Sequence, residues 1–153
     1  MLYVFDFHNG TAKHTNNFDL GQYGRYRTNV WDYAGMNSFS AKEQIRTEDG
    51  RQVAGRNELL KMHPTVKPVK LVADAILDCS LHGELILDLF GGSGTTLIAC
   101  EETDRKCCMM ELDPKYVDTI IRRWQKHTNQ KAILESTGKT FDEIELNGVE
   151  SCR

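Results

Sequence analysis

Proline is scarce in this chain: 153 residues hold only Pro64, Pro68 and Pro114, and no two are adjacent. Long apolar runs are missing too, and none approaches the roughly 18 residues needed to cross a bilayer. The first residues lack the basic, apolar, small-residue order of a secretion signal. No membrane partner is expected, and the expected compartment is the cytoplasm. The cysteines, Cys79, Cys100, Cys107, Cys108 and Cys152, are odd in number. Their spacing fits neither a disulfide framework nor a zinc motif, so they read as small buried side chains in a reducing compartment. His63 has no partner at metal-ligand spacing, and no metal is expected. There is no internal repeat and no low-complexity tract. What remains is an ordinary globular composition, 40% apolar and 27% charged, with the length of one domain at most. The net charge of −3 conceals an asymmetry: ten basic against seven acidic residues up to Lys70, then nine against fifteen. Such a split suits a basic face beside an acidic core and does not by itself indicate nucleic acid.

Residues Ile86 to Thr96 read ILDLFGGSGTT, and a second apolar run, CCMMELD, closes on Glu111. An apolar strand, Leu85–Leu89, runs into a turn made by Gly91, Gly92, Ser93 and Gly94, which opens a helix at Thr95 and Thr96. Glycines let a backbone approach a ligand closely, and the N–H groups of a helix start face the same place. Glu111, at the end of the next strand, is placed to grip two ribose hydroxyls. The third glycine of the dinucleotide fingerprint is absent, and no lysine follows to make a P-loop. Asp88, just before the turn, would repel a pyrophosphate and suit a cationic ligand. S-adenosyl-L-methionine, with its sulfonium and ammonium groups, fits best. A nicotinamide nucleotide, or a plain turn with no ligand, stays open.

Around this core the pattern reads as alternating strands and helices. Lys67-Pro68 opens a helix whose stripe is Leu71, Val72, Ala75, Ile76 and Cys79. A helix spans 95–103 and a strand 106–112. Asp113-Pro114 caps and starts another helix with the stripe Val117, Ile120, Ile121 and Trp124, leaving Arg122, Arg123 and Lys126 outside. Lys131 to Leu134 is expected as a third strand, giving a βαβαβ parallel unit. Leu2–Phe7 and Val30–Tyr33 read as short strands, 35–57 as a long polar loop, and the acidic tail as fraying after Phe141. The divisions are 1–62, a strand with a polar recognition-like region; 63–141, the cofactor-binding unit; and 142–153, the tail.

The order HPTVKP (His63 to Pro68), LDLFGGSGTT and MELDPKY resembles the C-terminal part of a beta-class DNA amino-methyltransferase of phage or prophage type, acting on adenine N6 or cytosine N4. The resemblance covers about Leu2 to Phe141 and is strongest from His63 to Trp124. It implies an α/β, Rossmann-like S-adenosylmethionine-dependent fold with a partial parallel sheet, and DNA as the partner of the complete enzyme. It implies cofactor roles for His63, Thr65, Lys67, Asp88, Phe90, Gly91, Gly92, Ser93, Gly94, Thr95, Thr96 and Glu111. Lys67 would pair with the methionine carboxylate, Phe90 would pack on the cofactor, and Tyr116 would lie near the adenine. Arg25, Arg27, Lys42, Arg46, Arg51 and Arg56, with Tyr23, Tyr26 and Trp31 between them, fall where the class carries or borders target recognition. The family's catalytic motif is Asp/Asn/Ser-Pro-Pro-aromatic, which three separated prolines cannot make. No catalytic residue is therefore assigned, and the chain reads as a fragment with a complementing catalytic half or a second copy as partner. Rival readings are a non-catalytic remnant serving as a binding module, and an RNA or small-molecule methyltransferase.

Overall fold

The structure is a computed structural model, and it describes residues 15–19, 30–33 and 66–150, with side chains as far as Leu146. Its order is α1 (Val69–Cys79), β1 (Leu85–Asp88), α2 (Thr95–Glu102), β2 (Lys106–Met109), α3 (Pro114–Thr128), β3 (Ile133–Leu134), β4 (Lys139–Thr140) and α4 (Phe141–Glu150). β1 and β2 pair in parallel, Ile86 opposite Cys107 and Asp88 opposite Met109. The ladder runs on past the strands. At the far end Met110 N–H donates to the Asp88 carbonyl, and Gly91 N–H donates to the Met110 carbonyl, each at 2.8 Å. The start of the glycine turn is thereby sewn to the end of β2.

Helices α1 and α2 pack against each other on one face of this pair. Their contact is built from Val72, Ala73, Ile76, Ala99 and Cys100, with Ile86 and Cys107 of the strands beneath. Alanines at 73 and 99 keep the contact thin, so the two helix backbones and the sheet approach closely. The α1 stripe lies where the spacing places it, extended by Ala73. Its C-terminal carbonyls do not fray. Asn17 Nδ2 donates to the carbonyls of Leu77 and Ser80 at 2.8 and 2.7 Å, and the Arg105 guanidinium also donates to the Ser80 carbonyl at 2.7 Å. α3 begins as expected, with the Asp113 side chain accepting from Lys115 N–H at 2.9 Å and Pro114 in the first turn. It ends on Asn129 in the left-handed region at φ 57°, a common helix stop.

Four expectations are corrected. Ile133–Leu134 does not extend the parallel sheet. It folds back on Lys139–Thr140 as an antiparallel hairpin, because Gly138, at φ 69°, supplies a reversal only four residues long. The tail does not fray after Phe141 but forms α4, started by a capping box: Thr140 N–H donates to Glu143 Oε2 at 2.7 Å, and Glu143 N–H donates to Thr140 Oγ1 at 3.3 Å. Val30–Tyr33 is not a strand. The Trp31 and Tyr33 rings lie tilted, 6.5 Å apart, and the Tyr33 hydroxyl bonds to Asp74 on α1. Arg123 is not on the outside. It is 5% exposed. The expected strand Leu2–Phe7, the polar region 34–62 and Cys152 lie outside the described residues.

Candidate cofactor site

The site forms where β1 and β2 end. From Asp88 the chain enters Leu89-Phe90, then the turn Gly91 to Gly94, then α2. Gly92 and Gly94 have φ of 53° and 76°, a region that costs other residues strain. Gly94, not a threonine, is the N-cap of α2, and it makes no side-chain cap bond. Gly91 is tight for a different reason: a Cβ there would meet Met109 Sδ at 2.7 Å and Ile120 Cδ1 at 3.0 Å.

Both acidic residues brace the turn. Asp88 accepts from Phe90 N–H at 3.0 Å and from the Thr96 hydroxyl at 2.6 Å, tying the strand end to the first turn of α2. Glu111, half-buried, accepts from Gly92 N–H at 2.7 Å through Oε2. Its Oε1 accepts from Leu112 and Asp113 N–H at 2.8 and 3.0 Å. Three amides thus hold this carboxylate against the glycine turn at the end of β2. Asp113 turns away to cap α3, so the two neighbouring acidic residues have separate jobs.

Ser93 and Thr95 are buried, each 6% exposed, with their hydroxyls 3.2 Å apart. Thr95 Oγ1 also lies 3.4 Å from the Lys67 carbonyl, a long contact that brings the turn against the end of HPTVKP. The Lys67 side chain is exposed. His63 and Thr65 lie outside the described residues, as do Arg25, Arg27, Lys42, Arg46, Arg51, Arg56, Tyr23 and Tyr26. Phe90 is 87% exposed at the mouth of the turn, and Leu112 on the opposite strand end is 96% exposed. Large apolar groups this open at strand ends provide surface for a flat ring. Tyr116 sits half-buried in the first turn of α3.

One participant was missed. Arg123, in the third turn of α3, donates through one terminal nitrogen to the Ser93 carbonyl at 2.8 Å. The same nitrogen lies 3.2 Å from Thr95 Oγ1 and 3.4 Å from Ser93 Oγ. Burial pushes its pKa down to about 10, partly offset by Glu102, which leaves it charged at neutral pH. Its Nε has no partner among the described residues. A signal was available: positions 116, 120, 123 and 127 follow one helical stripe, and all four are at least half-buried. The charge of the side chain masked its position.

Among the described residues no group of three or more His, Cys, Asp or Glu could hold a metal ion, and no helix is long and apolar enough to cross a membrane. Cys79, Cys100, Cys107 and Cys108 are free thiols.

Known proteins share this arrangement of sequence. The type II methyltransferase M.Cfr9I of Citrobacter freundii is 38% identical over 63 residues, which are 41% of this chain and 21% of that protein. The type II methyltransferase M.HinfI of Haemophilus influenzae is 29% identical over 119 residues, 78% of this chain and 28% of that one. The crystal structure of the M1.HpyAVI-SAM complex, 30% identical, aligns over 48% of this chain and 35% of its own with a TM-score of 0.42. The chain spans only 21% to 37% of the length of the curated relatives it matches. A model of the N6/N4 DNA methylase family matches residues 6–122, well over half of the 153, and the chain therefore belongs to that family of DNA methyltransferases.

Proposed function

We propose that this chain is the S-adenosylmethionine-binding part of a DNA methyltransferase acting on adenine N6 or cytosine N4. The observation that carries the reading is the closure of the glycine turn on Glu111, with Gly92 N–H 2.7 Å from its carboxylate. An acidic group held by amides at the end of β2 suits hydroxyls of a ribose, and a glycine turn leaves room at the end of β1. Phe90 offers a face for the adenine or the sulfonium side of the ligand. The bound cofactor supplies an activated methyl group; the chain's own residues bind it, orient it and fix the turn around it. Membership of a DNA methylase family favours DNA over RNA or a small molecule as methyl acceptor.

Calorimetry of the folded chain with S-adenosylmethionine and S-adenosylhomocysteine tests the reading. Binding is expected, and Glu111→Ala should weaken it by about 1–3 kcal/mol, the range for hydrogen bonds to a charged group. A folded chain that binds neither ligand at millimolar concentration refutes the proposal. An unchanged affinity in Glu111→Ala removes Glu111 from the ribose.

A second reading concerns activity. The three separated prolines make no Pro-Pro motif, so we propose that the chain alone binds cofactor without transferring methyl groups. Radiolabelled transfer to unmethylated DNA should show no turnover by the chain alone. Turnover after adding a polypeptide that carries the motif would identify a split enzyme.

A further inference from the structure

We infer that Arg123 is a positioning residue that sets the glycine turn in its ligand-receiving shape. The turn is held by α3 and its lead-in from two sides, with opposite polarity. Glu111, just before α3, takes the Gly92 N–H at 2.7 Å. Arg123, three turns into α3, donates to the Ser93 carbonyl at 2.8 Å. A carboxylate on a donor and a guanidinium on an acceptor pin the peptide units on either side of the Gly92–Ser93 bond. Gly92 and Gly94, both in the left-handed region, give the turn little stiffness of its own, so an external hold is required. Arg123 also reaches Thr95 Oγ1, which faces the Lys67 carbonyl. One side chain thus links α3, the turn and the segment entering α1.

The choice of residue supports a positional role over a packing one. Arg123 is 5% exposed and its Nε is unpartnered. An apolar side chain of similar length would avoid that desolvation, but it would leave the Ser93 carbonyl without its donor. The arginine therefore accepts a desolvation cost in exchange for a directed hydrogen bond on the turn.

Arg123→Met and Arg123→Lys test this in the full chain, each read by thermal melting, amide hydrogen exchange over residues 91–98 and calorimetry with S-adenosylmethionine. The affinity readout rests on the proposed cofactor; the exchange readout does not. Arg123→Met is expected to exchange its turn amides about tenfold faster than the wild type while α1 and α2 keep their exchange rates, and to bind the cofactor about tenfold more weakly. Arg123→Lys, which keeps a donor but not the planar fork, should recover part of both losses. If the wild type shows no binding, the cofactor reading fails while the exchange comparison still decides the role of Arg123. Unchanged turn exchange in Arg123→Met overturns the inference. Should Arg123→Met not fold, Arg123→Lys decides alone: turn exchange matching the wild type's, or a uniform change across α1, α2 and the turn, overturns the inference, and faster exchange confined to 91–98 supports it.

Discussion

The two faces of the β1–β2 pair are made from the same kind of residues and meet different fates. On one face Ile86 and Cys107 lie under Val72, Ile76, Ala99 and Cys100, and Ala99 is fully buried. On the other, Leu85 and Leu87 are 62% and 60% exposed, and Met110 is 62% exposed, with Cys108 open between them. Parallel strands that are apolar on both faces belong to sheets covered on both sides. The described residues supply one covering layer. No third strand joins the pair among them. The relatives are several times longer than the matched part of this chain. The strands are thus apolar on a face that the described residues leave open.

The covered face should give the largest response. Ile76→Ala removes a side chain that is 5% exposed, and a loss of about 2–5 kcal/mol is expected by chemical denaturation. A loss below about 1 kcal/mol would mean that the α1–α2 contact is loose, and the contrast between faces would fall. A smaller effect is expected where stability is local. The hairpin and α4 join α3 by polar links, Arg122 with Glu145 and Gln125 with Asp142, so Thr140→Ala should cost about 1 kcal/mol of helix stability. It should leave the melting of α1 and α2 nearly unchanged. The same cap predicts a pH response. Hydrogen bonds from the Thr140 backbone and hydroxyl hold the Glu143 carboxyl below its ordinary range. Its contribution is present above the ordinary glutamate pKa and fades as pH falls through the lowered value. The helical signal of α4 should decline in that acidic window, and no decline would remove the cap from its stability.

The open face should respond least in the monomer and most in association. Leu87→Ala is expected to change monomer stability by no more than about 0.5 kcal/mol. A cost rivalling that of Ile76→Ala would show the face is covered in solution. We expect the wild type to self-associate at tens of micromolar, as uncovered apolar faces and edges do, and Leu87→Asp to return it to a monomer by light scattering. A monodisperse wild-type monomer would show that other parts of the chain shield the patch.

The turn-proximal features were legible because they are local. Glycines at 91, 92 and 94 after an apolar strand, Glu111 closing the next strand, and Asp113-Pro114 starting a helix all follow from short-range stereochemistry. The capping box of α4 was equally local: Thr140 and Glu143 stand at the required spacing, but the acidic composition of the tail obscured them. Tertiary structure decided two other matters. Whether Ile133–Leu134 joined β2 or turned back depended on which partner reached it first in space, and the hairpin through Gly138 closes a far shorter loop. That Asp88 braces the turn depended on Thr96, eight residues away across the strand-to-helix bend. The sequence alone determined a glycine turn between strand and helix and the acidic residue that closes on it, since backbone geometry at glycine and helix starts needs no distant contact. Only the tertiary structure put Arg123 beneath that turn, because a buried charge is tolerated solely where a folded acceptor, here the Ser93 carbonyl, is already in place to receive it.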